Sequence, residues 1–227
     1  MTLSNQQIIK VELHLHTCFS KDSLVKPERL LTHCKEIGLD RVAITDHNEI
    51  EGAFVMQKLA REMVIVGEEI ITTKGELIGY FMSEWVPPGL EPMAAINRLH
   101  EQGAVISVPH PFDSARTQHW AEEDLLAITP YVDAIEIFNA RCFNNKPNNR
   151  AATFAQKNDL LATVGSDAHS LWEVGRATLN MPDFNDSAGF LQALQSAQPE
   201  TQLSPPFVHL FSRYASTVKR FQKNKNQ

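Results

Sequence analysis

Two histidines separated by one residue are the first candidates for chemistry in this sequence. His14 and His16 lie in the apolar run VELHLH, where Leu13 and Leu15 alternate with them. Residues two apart in an extended strand point to the same side, so the two imidazoles share one face. Such a pair can chelate a metal ion, although an isolated HxH pair is equally compatible with ordinary packing.

Further polar side chains follow the later apolar runs, at the points where strands are expected to end. A single such residue often only caps a helix, but five repetitions of the pattern are hard to explain in that way. Burying so many ionisable groups without cations would cost several kcal/mol for each, so the pattern predicts a metal cluster. The residues are Asp46 and His47, Glu68 and Glu69, His110, Glu136 and Asn139, and Asp167 and His169. Four of the nine histidines, His33, His100, His119 and His209, fall in expected helices or loops and are assigned to structure.

The segments that must position these residues alternate between strand-like and helix-like patterns. Strand followed by helix, repeated, predicts a parallel sheet, and the carboxyl ends of parallel barrel strands meet on one face. The Lys74-Gly75 pair predicts a tight turn between two strands. Strands are predicted over 8–15, 41–45, 64–70, 76–81, 104–108, 133–138 and 160–165, and helices over 27–37, 50–62, 91–102, 120–128, 147–158 and 187–197.

Composition narrows the class of protein. The 227 residues are 43% apolar and 21% charged, which is typical of a globular domain that buries a substantial core. A formal charge of −6 argues against long nucleic acids and anionic membrane surfaces as partners. Cys18, Cys34 and Cys142 form no CxxC pair and are expected to be reduced thiols. Without a leader-like or membrane-length apolar segment, the expected location is the cytoplasm.

The C-terminal segment differs in charge from the rest of the chain. We predict one domain over residues 1–202 and a basic, possibly helical tail over 203–227. Two interpretations of the tail remain open: a solvated terminal helix, or a docking site for an acidic partner or a nucleic acid. Its basic residues, which stand without an acid, are Arg213, Lys219, Arg220, Lys223 and Lys225.

Taken together, these motifs resemble the PHP (polymerase and histidinol phosphatase) superfamily of metal-dependent phosphoesterases. The resemblance runs from about residue 11 to about residue 175, in the order of the family. It implies an α/β fold, a distorted seven-stranded (β/α) TIM-like barrel, that holds up to three divalent ions. The motifs are HLHTCFS followed by Asp22, TDH at 45–47, GEE at 67–69, HP at 110–111 and GSDAHS at 165–170.

The same resemblance implies a role for each ligand. It gives His14, His16, Glu69 and Asp167 to a first metal, with Glu69 bridging to a second metal that His110 also binds. It gives Asp22, His47 and His169 to a third site, and leaves Asp46 to orient an imidazole or cap a helix.

One position departs from the family pattern. Glu76 stands where many relatives have a histidine for the second metal. It could replace that histidine as an oxygen ligand, it could leave the second site weak or empty, or it could be a solvent-facing hairpin residue. Two metals are therefore better supported than three. Mixed imidazole and carboxylate ligands favour zinc, manganese or iron, with magnesium possible.

The resulting prediction is a hydrolase that cleaves a small phosphomonoester or a nucleotide by metal-activated hydroxide. Arg116, Arg141 and Arg176 are the candidates to neutralise the phosphate charge. Three alternatives stay open: an exonuclease or phosphodiesterase acting on short oligonucleotides, an amidohydrolase acting at a carbon centre, and a catalytically silent PHP-like binding module. The sequence does not predict an oligomeric state.

Overall fold

The computed structural model describes residues 7–225 and consists of one mixed sheet with helices packed against it. The strands within this range are β1 (Ile8–Leu15), β2 (Arg41–Ile44), β3 (Val64–Ile71), β4 (Glu76–Tyr80), β5 (Val105–Val108), β6 (Ala134–Asn139), β7 (Leu161–Gly165), β8 (Ala177–Pro182) and β9 (Gln198–Thr201). The helices are α1 (Pro27–Glu36), α2 (Glu51–Leu59), α3 (Pro92–Glu101), α4 (Glu122–Ile128), α5 (Lys146–Asn158), α6 (Ser187–Leu194) and α7 (Val208–Lys225).

The order of strands in the sheet is β7-β6-β5-β4-β3-β2-β1-β8-β9. His16 N donates to Ala168 O at 3.0 Å and Ala168 N donates to His14 O at 3.3 Å, so the end of β1 is joined to the segment after β7. These bonds nearly close β1 to β7 into a ring, and β8 and β9 extend the sheet beyond β1. The α/β barrel class and the seven ring strands expected from the sequence are confirmed, but the whole sheet has nine strands.

Strand directions differ in part from the expected parallel sheet. The pairs β1–β2, β2–β3, β5–β6 and β6–β7 are parallel. β4 is antiparallel to both β3 and β5 because the Lys74-Gly75 turn links β3 directly to β4 without a crossover helix. Its first residue, Glu76, therefore lies beside the last residue of β3.

Alternating side chains build two apolar clusters on the two faces of the sheet. Val42 and Ile44 of β2 belong to the cluster that the outer helices cover, whereas Ala43 between them faces the other cluster. Phe190 of α6 packs edge-on against Tyr80, with ring centroids 5.8 Å apart, and contributes to the second cluster. This packing leaves the carboxyl ends of the ring strands for polar residues.

The helices begin and end close to the predicted positions. Gly38 and Gly103, just past α1 and α3, have φ angles of 75° and 68°, which glycine adopts without steric cost. Within residues 7–225, no helix combines the length and the apolar character that crossing a membrane requires.

Candidate metal centre

Four side-chain atoms converge at the carboxyl ends of the ring strands. The Nε2 atoms of His14 and His16 each lie 3.4 Å from Glu69 Oε2, and they lie 3.8 Å and 3.2 Å from Asp167 Oδ1. The four residues are at most 1% exposed. Among the residues that the structure describes, none of these four atoms forms a hydrogen bond of normal geometry, although His47 Nδ1 lies 2.8 Å from Glu69 Oε2. They are the atoms that the resemblance assigns to the first metal.

Their spacing and chemistry fit a divalent cation. Ligand atoms bound at about 2 Å around a tetrahedral ion lie about 3.3 Å from one another, close to the separations here. Buried nitrogen and oxygen atoms without partners are costly, and a shared cation would satisfy all four at once. The site chemistry therefore agrees with a cation bound by His14, His16, Glu69 and Asp167.

A second group adjoins the first through Glu69. His110 Nε2 lies 2.9 Å from Glu69 Oε1 and 3.8 Å from Glu76 Oε2. Glu76 is only 4% exposed, so the interpretation as a solvent-facing hairpin residue is wrong. Ligand atoms of His47, Glu69 and Glu76 lie within 4.8 Å of one another, which places Glu76 as a possible oxygen ligand in the position where relatives use histidine.

A third group forms around Asp22. Its Oδ2 lies 3.2 Å from His169 Nε2 and 3.6 Å from His47 Nε2. Ring nitrogens of His16, His47 and His169 also lie within 4.8 Å of one another. The structure thus brings all nine predicted ligands close together, but the groups overlap, because His47 Nδ1 also lies 2.8 Å from Glu69 Oε2 and near His16.

Glu136 orients the imidazole of His14 and holds the backbone of His110. Its Oε1 lies 2.9 Å from His14 Nδ1, so His14 donates there and keeps Nε2 for the cluster. Its Oε2 accepts from His110 N and from Asn139 Nδ2, each at 2.9 Å. The strand-end position of Glu136 was evident from the sequence, but its partner lies 122 residues away and only the barrel brings the two together.

Ser20 and Asp46 orient His16 in a similar way. Ser20 Oγ lies 3.0 Å from His16 Nδ1 and donates to Asp46 Oδ1 at 2.8 Å. Asp46 also accepts from Thr17 N and Thr17 Oγ1, both at 2.6 Å. Asp46 therefore acts on an imidazole through a serine hydroxyl. This arrangement also explains why a serine follows the two histidines in the first motif.

The electrostatic field of the site acts in opposite directions on different ligands: although burial alone would lower it, the surrounding acids raise the pKa of His14, whereas His16 and Asp167 are held in the forms that bind metals. Burial lowers the pKa of His16 well below its usual value, and the neighbouring His169 and His47 lower it further. Burial alone would raise the pKa of Asp167, but Arg116 and His14 lower it well below the usual range. Neutral imidazole and ionised carboxylate are the ligating forms of these groups.

A cavity of about 230 Å³ opens over the cluster and contains two of the three predicted arginines. Arg116 contacts Asp167 Oδ2, and Arg141 contacts His169 Nδ1. Arg176, in contrast, lines a different pocket with His33, because the chain turns at Gly175 and enters β8. Its predicted role at the phosphate is not compatible with this position.

Helix α7 supplies part of the cavity wall, which the sequence did not predict. Ser212 Oγ accepts from Arg141 Nη2 at 2.8 Å, and His209 Nδ1 lies 3.5 Å from the same atom. His209, assigned to structure above, therefore lies at the mouth of the site, together with Arg213. The basic segment is helical from Val208 to Lys225, and Lys219 donates to the carbonyls of Cys18 and Ser20 in the first motif. The side chains of Lys223 and Lys225 lie outside the described residues.

Two residues of the cluster have a strained backbone. His110 and Asp167 have φ angles of 29° and 53°, in the region that residues with a side chain rarely adopt. Such strain persists only where the surrounding contacts hold it, and it is concentrated at functional sites. Here it directs the two side chains toward the shared centre.

Comparison with known proteins agrees with this geometry. The PHP domain family matches residues 12–132, and a second family described as PHP-associated matches residues 145–199. Uncharacterized protein MJ0417 of Methanocaldococcus jannaschii is 39% identical over 180 residues, which are 78% of this chain and 72% of that protein.

Solved structures share the fold at lower identity. A two-domain protein of Bacteroides vulgatus that contains a predicted PHP-like metal-dependent phosphoesterase aligns with a TM-score of 0.71 and 20% identity, over 87% of this chain and 66% of that one. A lesion-specific endonuclease of Pyrococcus furiosus aligns with a TM-score of 0.64 and 14% identity, over 85% of this chain and 58% of that one. The resemblance read from the motifs is confirmed, and the chain belongs to the PHP domain family.

Proposed function

We propose that this protein is a metal-dependent phosphoesterase that hydrolyses a small phosphomonoester or a nucleotide. The observation that supports this most directly is the convergence of buried atoms of His14, His16, Glu69 and Asp167. The adjoining ligands Asp22, His47 and His169 line a cavity together with arginines. The membership in the PHP domain family supports the same class of reaction.

The residues of the site have different roles in such a reaction. Divalent cations, when bound, would acidify a water molecule and neutralise charge on the phosphate. Arg116 and Arg141 line the cavity above the ligands, where their guanidinium groups can hold phosphate oxygens. Glu136 and the pair of Ser20 and Asp46 keep the imidazoles in fixed orientations, so little reorganisation is needed when substrate binds.

His209 is a candidate for proton transfer in this reaction. It lines the cavity but belongs to none of the ligand groups, so its ring retains a nitrogen for proton transfer. The Phe143 ring is tilted against it at a centroid distance of 4.6 Å and limits its movement. Burial and the neighbouring Arg141 lower the pKa of His209, so its neutral ring is suited to accept a proton at the site.

Hydrolysis of short oligonucleotides is the second candidate function. Helix α7 places Arg213 at the edge of the cavity, where it can contact a further backbone phosphate. The similarity to the Pyrococcus furiosus endonuclease is compatible with this alternative.

A panel of substrates separates these functions. The purified protein is first analysed for bound elements, and is then loaded with manganese or zinc and incubated with phosphomonoesters, short oligonucleotides, amides and lactones. Release of inorganic phosphate from the monoesters is expected. Cleavage of oligonucleotides alone would favour the second candidate, and turnover of amides or lactones without phosphate release would indicate an amidohydrolase. A protein that binds no metal on titration and turns over none of these would be a silent binding module.

A further inference from the structure

A second cavity lies beside the one over the metal ligands. Its volume is about 450 Å³, compared with about 230 Å³ for the first. This is within the range of sites that bind small molecules, about 300–1,000 Å³. Most of its walls are apolar, and they come from residues 24–26, residues 170–172 and the face of α7 that contains Phe211, Tyr214 and Ala215.

The two cavities are continuous along the chain and in space. His169 lines both of them. Leu24 follows Asp22 by two residues, and Trp172 follows His169 by three, so the loops that supply two predicted ligands continue into the walls of the larger cavity. A molecule with its phosphate at the ligands would therefore direct its organic part toward this cavity.

The walls present flat aromatic side chains to solvent. Trp172 is 75% exposed, Tyr214 is 65% exposed and Phe211 is 42% exposed. Phe211 and Tyr214 lie three residues apart on α7, so their side chains are neighbours on one helix face. Exposed aromatic side chains gathered at one cavity are typical of a binding site, because their faces gain contact area only when a ligand covers them.

We infer that this cavity binds a flat aromatic group on the organic part of the substrate, a nucleobase or an aryl ring, by stacking against Trp172 and Tyr214. The inference deepens the proposed function and rests on it for the position of the phosphate. Arg29 and Lys26, which also line the cavity, favour a ring with acceptor atoms or a second anionic group over a purely aliphatic chain.

Adenosine 5′-monophosphate and ribose 5-phosphate test this directly, because they differ only in the base. In the metal-loaded full chain, we expect a higher kcat/KM for the nucleotide. Trp172→Ala and Tyr214→Ala should each lower that preference about tenfold, through KM, and leave ribose 5-phosphate unchanged. Phe221→Ala is the matched control, since Phe221 is 61% exposed on the same helix but about 10 Å further along it. Equal effects on both substrates, or none, would overturn the inference.

A binding measurement keeps the inference separate from the proposed function. Adenosine, which has no phosphate, should quench tryptophan fluorescence, and Trp172→Ala should abolish the quenching while Phe221→Ala preserves it. 1-Naphthol replaces adenosine in a parallel titration to distinguish a simple aryl ring from a nucleobase. This result would support the cavity even if no phosphate ester were hydrolysed. Absence of quenching by both probes would refute it, as would a concentration-dependent dimer that Tyr214→Ala disrupts, since a second copy would then cover the aromatic face.

Discussion

The substitution Glu136→Gln tests whether the metal centre depends on a residue that we do not expect to bind the metal. In the structure the two carboxylate oxygens of Glu136 accept three bonds, from His14 Nδ1, His110 N and Asn139 Nδ2, each at 2.9 Å. A glutamine has one acceptor oxygen, so its amide nitrogen must face either the His14 or the His110 donor. Either the His14 imidazole then loses the acceptor that fixes its orientation, or the backbone N–H of His110 faces a second donor.

The expected loss of metal affinity follows from the number of hydrogen bonds that Glu136 accepts. Removing a partner that orients a ligating histidine typically weakens metal affinity by about 10-fold to 100-fold, which corresponds to roughly 1.4–2.7 kcal/mol. Because Glu136 contacts two of the predicted ligand residues, we expect a loss near the upper end of this range. The residue is also 3% exposed, so the new donor–donor contact should destabilise the metal-free fold by about 1–3 kcal/mol.

Competition between the metal-free protein and a zinc-binding dye measures the affinity, and circular dichroism monitors the fold. Glu68→Gln is the matched control, because Glu68 is a fully buried acid beside Glu69 that donates no ligand to the cluster and accepts from Val86 N at 3.0 Å. It should bind zinc as the wild type does. A folded Glu136→Gln protein with wild-type zinc affinity would refute the proposed orientation of His14 and His110.

Three further substitutions test other parts of the structure. Asp167→Asn should reduce phosphate release below detection, because it removes an ionised ligand. The circular dichroism spectrum should stay unchanged, because asparagine tolerates the φ of 53° at this position. Hydrolysis rates near those of the wild type would contradict the assignment of Asp167 to the first metal. Burial raises the pKa of Glu68 to about 8 from 4.5, so the folded state holds its proton more tightly and stability falls as pH rises through that interval. Glu68→Gln should remove up to roughly 4 kcal/mol of this pH-dependent loss, measured as the difference in the free energy of unfolding between pH 5 and pH 9. Parallel pH profiles of the variant and the wild type would argue against it. Gly165→Ala places a methyl group against His14 and Glu136, so it should lower both zinc affinity and thermal stability. Gly38→Ala is the control: its methyl group contacts nothing, and only the positive φ is strained, so it should lower stability but not zinc affinity.

The ring strands could be predicted because each one is a short apolar run with its own pattern. β9 could not, since its sequence QPET is polar throughout, contains a proline, and is exposed at every position. It is a strand because it pairs with β8, which in turn pairs with β1. The strand conformation of β9 therefore depends on tertiary pairing and not on its local sequence.

Most ligands of the site could be predicted because they lie at the ends of recognisable strands, whereas Asp22 and Glu76 were identified only through the resemblance to the PHP superfamily. The contacts that orient the ligands could not be predicted. Glu136 and His14 are far apart in sequence, and the helical pattern of α7 does not indicate which surface it covers. Arg176 shows the opposite error, since proximity in sequence to Asp167 and His169 did not place it near them.

Folding stability and metal binding make opposite demands on this end of the barrel. Four buried atoms without partners and two residues at unfavourable φ angles all raise the free energy of the folded chain. The apolar clusters on both faces of the sheet and the bonds that join β1 to Ala168 must offset that cost, because residues at the centre do not. A bound cation would return part of it, since it binds the folded arrangement and not the unfolded chain. Helix α7 contributes to the same end, because its hydrogen bonds to Arg141 and to the carbonyls of Cys18 and Ser20 hold the surroundings of the ligands in place.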